Sequence, residues 1–268
     1  MTTEERASIL VIGAGPAGAA AAIEARAAGS DVIVIDRATF PRDKCCGDGL
    51  TTGALRQLEE LGIDVPSLAS TSVVDSVVLV GPDRRSREFP LPRGVGLFAA
   101  VTRRRELDAA LVATARQSGA DVREHTSVVA IEDLASVGRT GAMVTVESDH
   151  KRYSIVADHV VAADGMWSPT RRLLGVNEPG YRGTWHAFRQ YFTNVGARAR
   201  SELIVWFEPD LLPGYVWSFP LGDGSANVGF GILRDRCHRV QDMGKLWPDI
   251  LARPHVREVL GPDAEPED

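Results

Sequence analysis

Six residues near the start of the chain constrain its fold more than any others. Gly13-Ala14-Gly15-Pro16-Ala17-Gly18 matches the pattern G-x-G-x-x-G, and its flanks decide how it is read. Residues 8–12 (Ser-Ile-Leu-Val-Ile) form a short apolar, β-branched run, the pattern of a strand buried on both faces. Residues 16–28 are alanine-rich with charges only at Glu24 and Arg26, and Gly29 follows as a helix stop. Residues 31–35 (Asp-Val-Ile-Val-Ile) then read as a second buried strand. Strand, glycine turn, helix and strand within about 30 residues make a βαβ unit. In such a unit the first glycine permits a tight turn, the second lets backbone approach a pyrophosphate, and the third lets the helix pack close to the strand. The helix N-terminus offers free N–H groups and a positive dipole end to the phosphates. Asp36, at the end of the second strand, is placed to accept hydrogen bonds from ribose hydroxyls. Its charge disfavours a 2′-phosphate, which points to FAD or NAD rather than NADP. The plainer alternative for Asp36 is a solvated strand-end acid.

Composition narrows the function. The 268 residues are 44% hydrophobic, enough for a sizeable core in one large domain or two small ones. With 30 Lys+Arg against 36 Asp+Glu, the net charge of −6 argues against a general nucleic-acid binder. No apolar run approaches the roughly 20 residues of a membrane-spanning helix. The first six residues, Met1 to Arg6, lack the pattern of a secretory signal. Three cysteines do not make a disulfide framework, so the expectation is a cytoplasmic protein with reduced thiols. The histidines at 125, 150, 159, 186, 238 and 255 show no metal-ligand spacing, and no metal is expected. There is no G-x-S-x-G elbow and no P-loop.

Beyond the βαβ unit, a polar loop covers residues 37–49 and helical spacing covers 53–61. Residues 73–80 and 87–91 read as strands parted by Gly81-Pro82-Asp83. Residues 103–118 are helical, with Leu107 and Leu111 four apart and Gly119 as the stop. Residues 121–123, 128–132, 142–147, 153–156 and 159–163 read as strands. Past Tyr181 the chain is strand-rich and aromatic, and residues 261–268 are expected to fray.

Four segments carry a family resemblance. Ala162-Ala163-Asp164-Gly165-Met166-Trp167-Ser168-Pro169-Thr170-Arg171 resembles the Asp-Gly motif of the para-hydroxybenzoate-hydroxylase-like flavoproteins, which lies near the cofactor's pyrophosphate and ribose. Arg104-Arg105-Glu106-Leu107-Asp108 resembles that superfamily's Arg-x-x-Leu-Asp helix start, and the nucleotide-contacting arginine falls on Arg104. Each alone has an ordinary explanation, a common turn and a solvated arginine face; in this order and spacing they favour FAD. Pro41-Arg42-Asp43-Lys44-Cys45-Cys46-Gly47-Asp48-Gly49 resembles the Pro-x-x-Lys-x-Cys-Gly-x-Gly loop of the geranylgeranyl reductase family. Tyr215-Val216-Trp217-Ser218-Phe219-Pro220 resembles that family's Tyr-x-Trp-x-Phe-Pro hallmark, and Asn227-Val228-Gly229-Phe230-Gly231 continues it.

The resemblance implies an α/β fold, α+β overall. A Rossmann-like FAD-binding domain (1–72 and 102–180) is interleaved with an antiparallel-sheet substrate domain (73–101 and 181–268). It implies a flavoprotein oxidoreductase that hydrogenates C=C bonds of a prenyl chain, geranylgeranyl-type or on an isoprenoid quinone. A hydride comes from reduced FAD and a nearby acid supplies the proton, because an isolated alkene has no carbonyl to polarise. By motif position the cysteine is Cys46, with Cys45 in the variable place; the alternative is a small buried hydrophobe. Tyr215 is the second candidate proton donor. Tyr215, Trp217 and Phe219 alternate along one strand face and suit an apolar wall for the prenyl chain, or else fill a sheet core. The cofactor-binding set is Gly13, Gly15, Pro16, Ala17, Gly18, Asp36, Arg37, Lys44, Cys46, Gly47, Arg104, Asp164 and Gly165. The implied partners are a prenyl-lipid or isoprenoid substrate and an external electron donor of NADPH or ferredoxin type. A lipid substrate would bring the protein peripherally to a membrane. Alternatives are a related FAD-dependent monooxygenase or halogenase, and a non-catalytic FAD- or prenyl-binding remnant. These flavoproteins also carry a later Gly-Asp-Ala-Ala-Gly motif, whereas Gly47-Asp48 and Gly222-Asp223 are not followed by Ala-Ala-Gly. The expectation is a C-terminally truncated member that holds FAD weakly or not at all.

Overall fold

The computed structural model describes residues 5–92, 94–234 and 243–267, so Cys237, His238 and the first four residues lie outside the described part. In chain order the first half holds β1 (Glu5–Ile12), α1 (Pro16–Ala27), β2 (Val32–Ile35), β3 (Gly49–Thr51), α2 (Thr52–Glu60), β4 (Ser72–Val73), β5 (Ser76–Val80), β6 (Ser86–Pro90), β7 (Ala99–Val101), α3 (Arg104–Gln117), β8 (Asp121–Arg123) and β9 (Thr126–Asp133). The second half holds β10 (Ala142–Ser148), β11 (Lys151–Ala162), α4 (Pro169–Leu173), β12 (Trp185–Thr193), α5 (Ala197–Ser201), β13 (Leu203–Trp206), β14 (Tyr215–Pro220), β15 (Ala226–Leu233), α6 (Met243–Ala252), α7 (Pro254–Leu260) and β16 (Glu265–Pro266). The chain forms two compact units. The first comprises Met1–Asp43, Leu61–Ile63 and Leu107–Tyr181, and the second Lys44–Glu60, Asp64–Glu106 and Arg182–Asp268. The sequence reading places everything up to residue 72 with the βαβ unit, whereas here the chain leaves the first unit at Lys44.

The first unit is built on a six-stranded sheet of order β8-β2-β1-β11-β10-β9. β8, β2, β1 and β11 run parallel, and β10 and β9 complete the sheet antiparallel. The βαβ unit is present, and all four residues of β2 are buried, as a parallel strand covered on both faces requires. Leu10, Val144, Ile155 and Ala157 have no exposed surface and centre the core. Burying a side chain of the Leu or Ile kind contributes roughly 1.5–3 kcal/mol. β11 is one strand of 12 residues where the sequence suggests two. The sequence reading leaves a gap at 157–158, where Asp158 is exposed, but the pairing with β1 keeps one register from Ile155 to Ala162.

The second unit holds a seven-stranded sheet of order β16-β12-β15-β14-β13-β5-β6 and a three-stranded sheet β3-β7-β4. Every neighbouring pair in the larger sheet is antiparallel except β13 with β5. Its core is formed by Ile204, Val228, Phe230 and Ile232 from the sheet and by Ala199, Ile250, Val256 and Val259 from α5, α6 and α7. Trp247 of α6 stacks on Phe230 at 6.0 Å. These helices do not stand out in a segment read as strand-rich, because Pro248 sits inside α6 and interrupts the helical pattern. The expected fraying of 261–268 is corrected as well. β16 pairs with β12, and Glu267 takes a bidentate ion pair from Arg103 at 2.7 and 2.6 Å. A ladder plus a charged fork outweighs the flexibility of an acidic, proline-containing segment.

Phe230 tests this core. Phe230→Ala is expected to lower stability by about 3–5 kcal/mol in urea unfolding, whereas Val95→Ala, at 95% exposure, changes it by no more than about 0.5 kcal/mol.

Candidate functional site

In the first unit, the end of β1 creates a cradle. Gly13 has φ +101°, and a Cβ there would lie 2.5 Å from the Ala163 carbonyl oxygen. A Cβ at Gly18 would lie 1.7 Å from the Gly13 carbonyl oxygen, so only glycine lets α1 close on its own turn. Ala163 N–H donates to the Ile12 carbonyl at 2.8 Å, which draws the Asp164-Gly165 turn to the glycine loop. Gly15 is the N-cap of α1, and a Cβ there would meet only Arg42 Nη2, at 3.6 Å. Space for a ligand therefore lies above Gly15, beside a helix N-terminus.

Asp36 ties this loop to β2. Its Oδ2 accepts from Ala14 N–H at 2.7 Å and its Oδ1 from Ala38 N–H at 2.8 Å. Each carboxylate oxygen keeps a further lone pair for a ribose hydroxyl. Arg37 beside it is exposed. Asp164 accepts from Thr170 N–H at 2.8 Å at the start of α4, where Ser168 is the N-cap. Burial pushes the Asp164 carboxyl up, but hydrogen bonds from the Ser168 hydroxyl and the Thr170 backbone outweigh it and hold the group below its ordinary value. Its first task here is thus to anchor a turn. Arg42 is the residue that sequence reasoning passes over, because it fills a variable position of its motif. Its Nη1 lies 3.0 Å from Oδ2 of Asp108, a carboxylate with no exposed surface. The signal was in the sequence: an aspartate between Leu107 and Leu111 on the buried side of a helix needs a cation.

The second group belongs to the second unit. Lys44 and Cys45 are exposed, Cys46 and Gly47 are half-buried, and neither cysteine is in a disulfide. The Lys44 carbonyl accepts from Arg189 at 3.4 Å. Gly47 and Gly49 lie on aromatic rings: a Cβ at Gly47 would sit 3.6 Å from Phe219 and 3.7 Å from Trp217, and one at Gly49 would sit 3.4 Å from Phe219. Tyr215, Trp217 and Phe219 share one face of β14, with ring centroids 5.9 and 6.1 Å apart in succession. Tyr215 is exposed and Phe219 half-buried, but Trp217 is buried beneath its neighbours. Trp217 fits because Gly229 lies under it; a Cβ there would come within 2.4 Å of the indole. Its Nε1 donates to Asn227 Oδ1 at 3.0 Å. Arg104 opens α3 and is half-buried, and its backbone N–H faces the carboxyl of Asp48. Its neighbour Arg103 is committed to Glu267, Asp223 and Ser225.

Asp48, Tyr191 and Asn227 are functional candidates that the sequence conceals. Asp48 is 1% exposed, and its Oδ2 accepts from Tyr191 Oη at 2.7 Å and Asn227 Nδ2 at 2.8 Å. Burial pushes this carboxyl up, against those two hydrogen bonds, the charge of Arg189 and the Arg104 N–H. Nothing in the pattern Cys-Gly-Asp-Gly distinguishes a buried acid from a turn residue. No cluster of metal-ligating side chains occurs among the described residues.

Known proteins place these two groups in context. A family model described as an FAD binding domain matches residues 6–211, and one described as a geranylgeranyl reductase catalytic domain matches residues 186–255. Menaquinone reductase of Mycolicibacterium smegmatis is 36% identical over 242 residues, covering 85% of this chain and 55% of that protein. Digeranylgeranylglycerophospholipid reductase 1 of Methanopyrus kandleri is 31% identical, covering 84% and 57%. The chain thus spans somewhat more than half the length of these relatives. Among solved structures, a geranylgeranyl bacteriochlorophyll reductase-like protein from Thermoplasma acidophilum superposes with a TM-score of 0.82 at 24% identity, covering 99% of this chain and 65% of that one. The myxobacterial chondrochloren halogenase, at 22% identity and a TM-score of 0.81, shares the fold, covering 98% and 61%. The first unit fits FAD: a glycine cradle that a Cβ would fill, open space at a helix N-terminus, a strand-end acid and a nearby arginine meet there.

Two measurements check this site. Gly13→Ala forces a side chain into a left-handed turn against Ala163, and FAD binding by flavin fluorescence is expected to weaken about tenfold or more; unchanged affinity would contradict the cradle. The lowered Asp164 carboxyl contributes stability that is present above the ordinary value of 3.8 and lost as pH falls below it. The gap in melting temperature between the parent and Asp164→Asn should therefore be open at pH 7 and close on acidification through that value.

Proposed function

The chain belongs to the geranylgeranyl reductase family of FAD-dependent oxidoreductases, and from that premise we propose that it reduces isolated C=C bonds in the prenyl chain of an isoprenoid quinone or a geranylgeranyl lipid. One observation carries the reading: the loop that bears Cys46 lies directly on the aromatic face of β14. FAD, when bound, supplies the hydride. Gly13, Gly15, Pro16, Ala17, Gly18, Asp36 and Arg42 would hold its nucleotide half, with Arg37, Asp164 and Gly165 beside them. By motif position Lys44, Cys46 and Gly47 are assigned to its remainder, and Arg104 is assigned to a contact with its nucleotide.

The protein's own share is to bind an apolar chain and hold a proton where it is needed. Tyr215 and Phe219 offer rings to the prenyl chain, and the buried Trp217 fixes their spacing. The Cys46 thiol and the Tyr215 hydroxyl are the candidate proton donors. Under this reading the first unit is the FAD-binding domain and the second the substrate domain. No helix among the described residues is long and apolar enough to cross a membrane. A prenyl-lipid substrate would bring the protein peripherally to a membrane surface. An external donor of NADPH or ferredoxin type would reduce the cofactor. The halogenases share the fold alone, and the Cys46 loop with the Tyr215–Pro220 segment weighs against that chemistry here.

The assay combines purified protein, dithionite-reduced FAD and a menaquinone or geranylgeranyl lipid, with mass spectrometry of the lipid. The expected product gains two hydrogens per reduced bond, and Cys46→Ala lowers the rate about a hundredfold or more. Lipid of unchanged mass, from protein that retains FAD, would contradict the proposal.

A further inference from the structure

Asp48 lies next to the proposed chemistry but has no part in it so far. An acid that is 1% exposed is unfavourable unless donors meet its oxygens. Here two strands supply them: Tyr191 from β12 and Asn227 from β15 both donate to Oδ2, at 2.7 and 2.8 Å. Oδ1 is buried with no partner at hydrogen-bonding geometry. The same Asn227 amide also donates to the Cys46 carbonyl at 3.0 Å, and the Asp48 N–H donates to the Cys46 Sγ at 3.4 Å.

The donors are themselves fixed. Asn227 Oδ1 receives the Trp217 indole N–H, and that indole cannot shift toward β15 because it already fills the space above Gly229. The Tyr191 ring lies between two guanidinium groups, Arg103 at 4.3 Å and Arg189 at 4.1 Å. On the other side the Asp48 carbonyl accepts from Thr102 N–H at 3.1 Å. Asp48 adopts φ +64°, in the left-handed region that few non-glycine residues occupy and that aspartate tolerates better than most. The turn 46–48 is thus gripped at the carboxylate, at the Cys46 carbonyl and at the Asp48 carbonyl, and the thiol is carried on that grip.

We propose that Asp48 is the positioning residue of Cys46: its carboxylate oxygen locks the turn 46–48 to Tyr191 and Asn227 and so holds the thiol half-buried on the substrate sheet. The use of that thiol in reduction rests on the reading above; its immobilisation by Asp48 does not. The essential group is an acceptor oxygen shared by two donors. Asparagine can supply it and alanine cannot.

The test measures alkylation of Cys46 by iodoacetamide in a Cys45→Ser, Cys237→Ser background, with thermal unfolding recorded for every variant. Asp48→Ala is expected to speed alkylation about fivefold or more, as local opening releases a half-buried thiol. Asp48→Asn is expected to stay within about twofold of the background, and Val228→Ala, which weakens the same sheet without touching the turn, should do the same. Equal rates for Asp48→Ala and the background, or an Asp48→Asn rate as fast as that of Asp48→Ala, would overturn the proposal. If Asp48→Ala does not fold, Tyr191→Phe decides: faster alkylation supports the lock and an unchanged rate overturns it. The readout needs no turnover, so loss of the reductase reading and loss of this proposal are separate results.

Discussion

The contact between a helix and its own entry turn governs the first unit. Gly18 approaches the Gly13 carbonyl more closely than any side chain would permit, and this sets the distance between α1 and β1. That distance leaves the α1 N-terminus open above Gly15 and brings the Ala163 end of β11 against Gly13. Asp36 then bridges the turn to β2 through two backbone N–H groups. The features that suit this cradle to a pyrophosphate follow from the same steric fact: glycines at 13 and 18 let backbone stand where side chains would otherwise stand.

A polar arrangement plays the corresponding part in the second unit. The aromatic face of β14 is built around Trp217, whose indole needs an acceptor once it is buried. Asn227 supplies that acceptor, and its amide group in turn requires acceptors, which it finds in Cys46 and Asp48. Satisfying one buried N–H therefore extends across two strands, β14 and β15, to the cysteine loop. The charge around it is arranged to match: Arg103 and Arg189 flank Tyr191, and Glu267, Asp223 and the Lys44 carbonyl take up donors of these arginines. Such networks are specific when complete and unfavourable when partly broken.

The legible parts of the sequence were those where one residue type has one physical use. Glycines between a strand and a helix, β-branched runs and an alternating aromatic strand all led to elements found here. The fold class and the choice of FAD over NAD rested instead on the resemblance of the Arg104 and Asp164-Gly165 segments to known flavoproteins. What escaped notice depended on partners distant in sequence. Asp48 reads as a turn residue until Tyr191 and Asn227, 143 and 179 residues away, are placed against it. Arg42 reads as a variable loop position until Asp108 is seen to be buried beneath it. Residues 265–267 read as a frayed end until β12 and Arg103 provide a ladder and a charge. Local pattern has no access to such pairings, and none of these segments has a hydrophobic period to betray its burial.

The central claim is that the Cys46 loop and the aromatic face of β14 form the contact surface for a prenyl chain. Photo-crosslinking with a diazirine-bearing geranylgeranyl lipid, mapped by mass spectrometry of proteolytic peptides, tests it most directly. Adducts are expected on residues 44–49 and 215–219. Adducts confined to another part of the second unit, such as the cavity of about 460 Å³ bordered by Phe192, Leu251 and Leu260, would contradict the account.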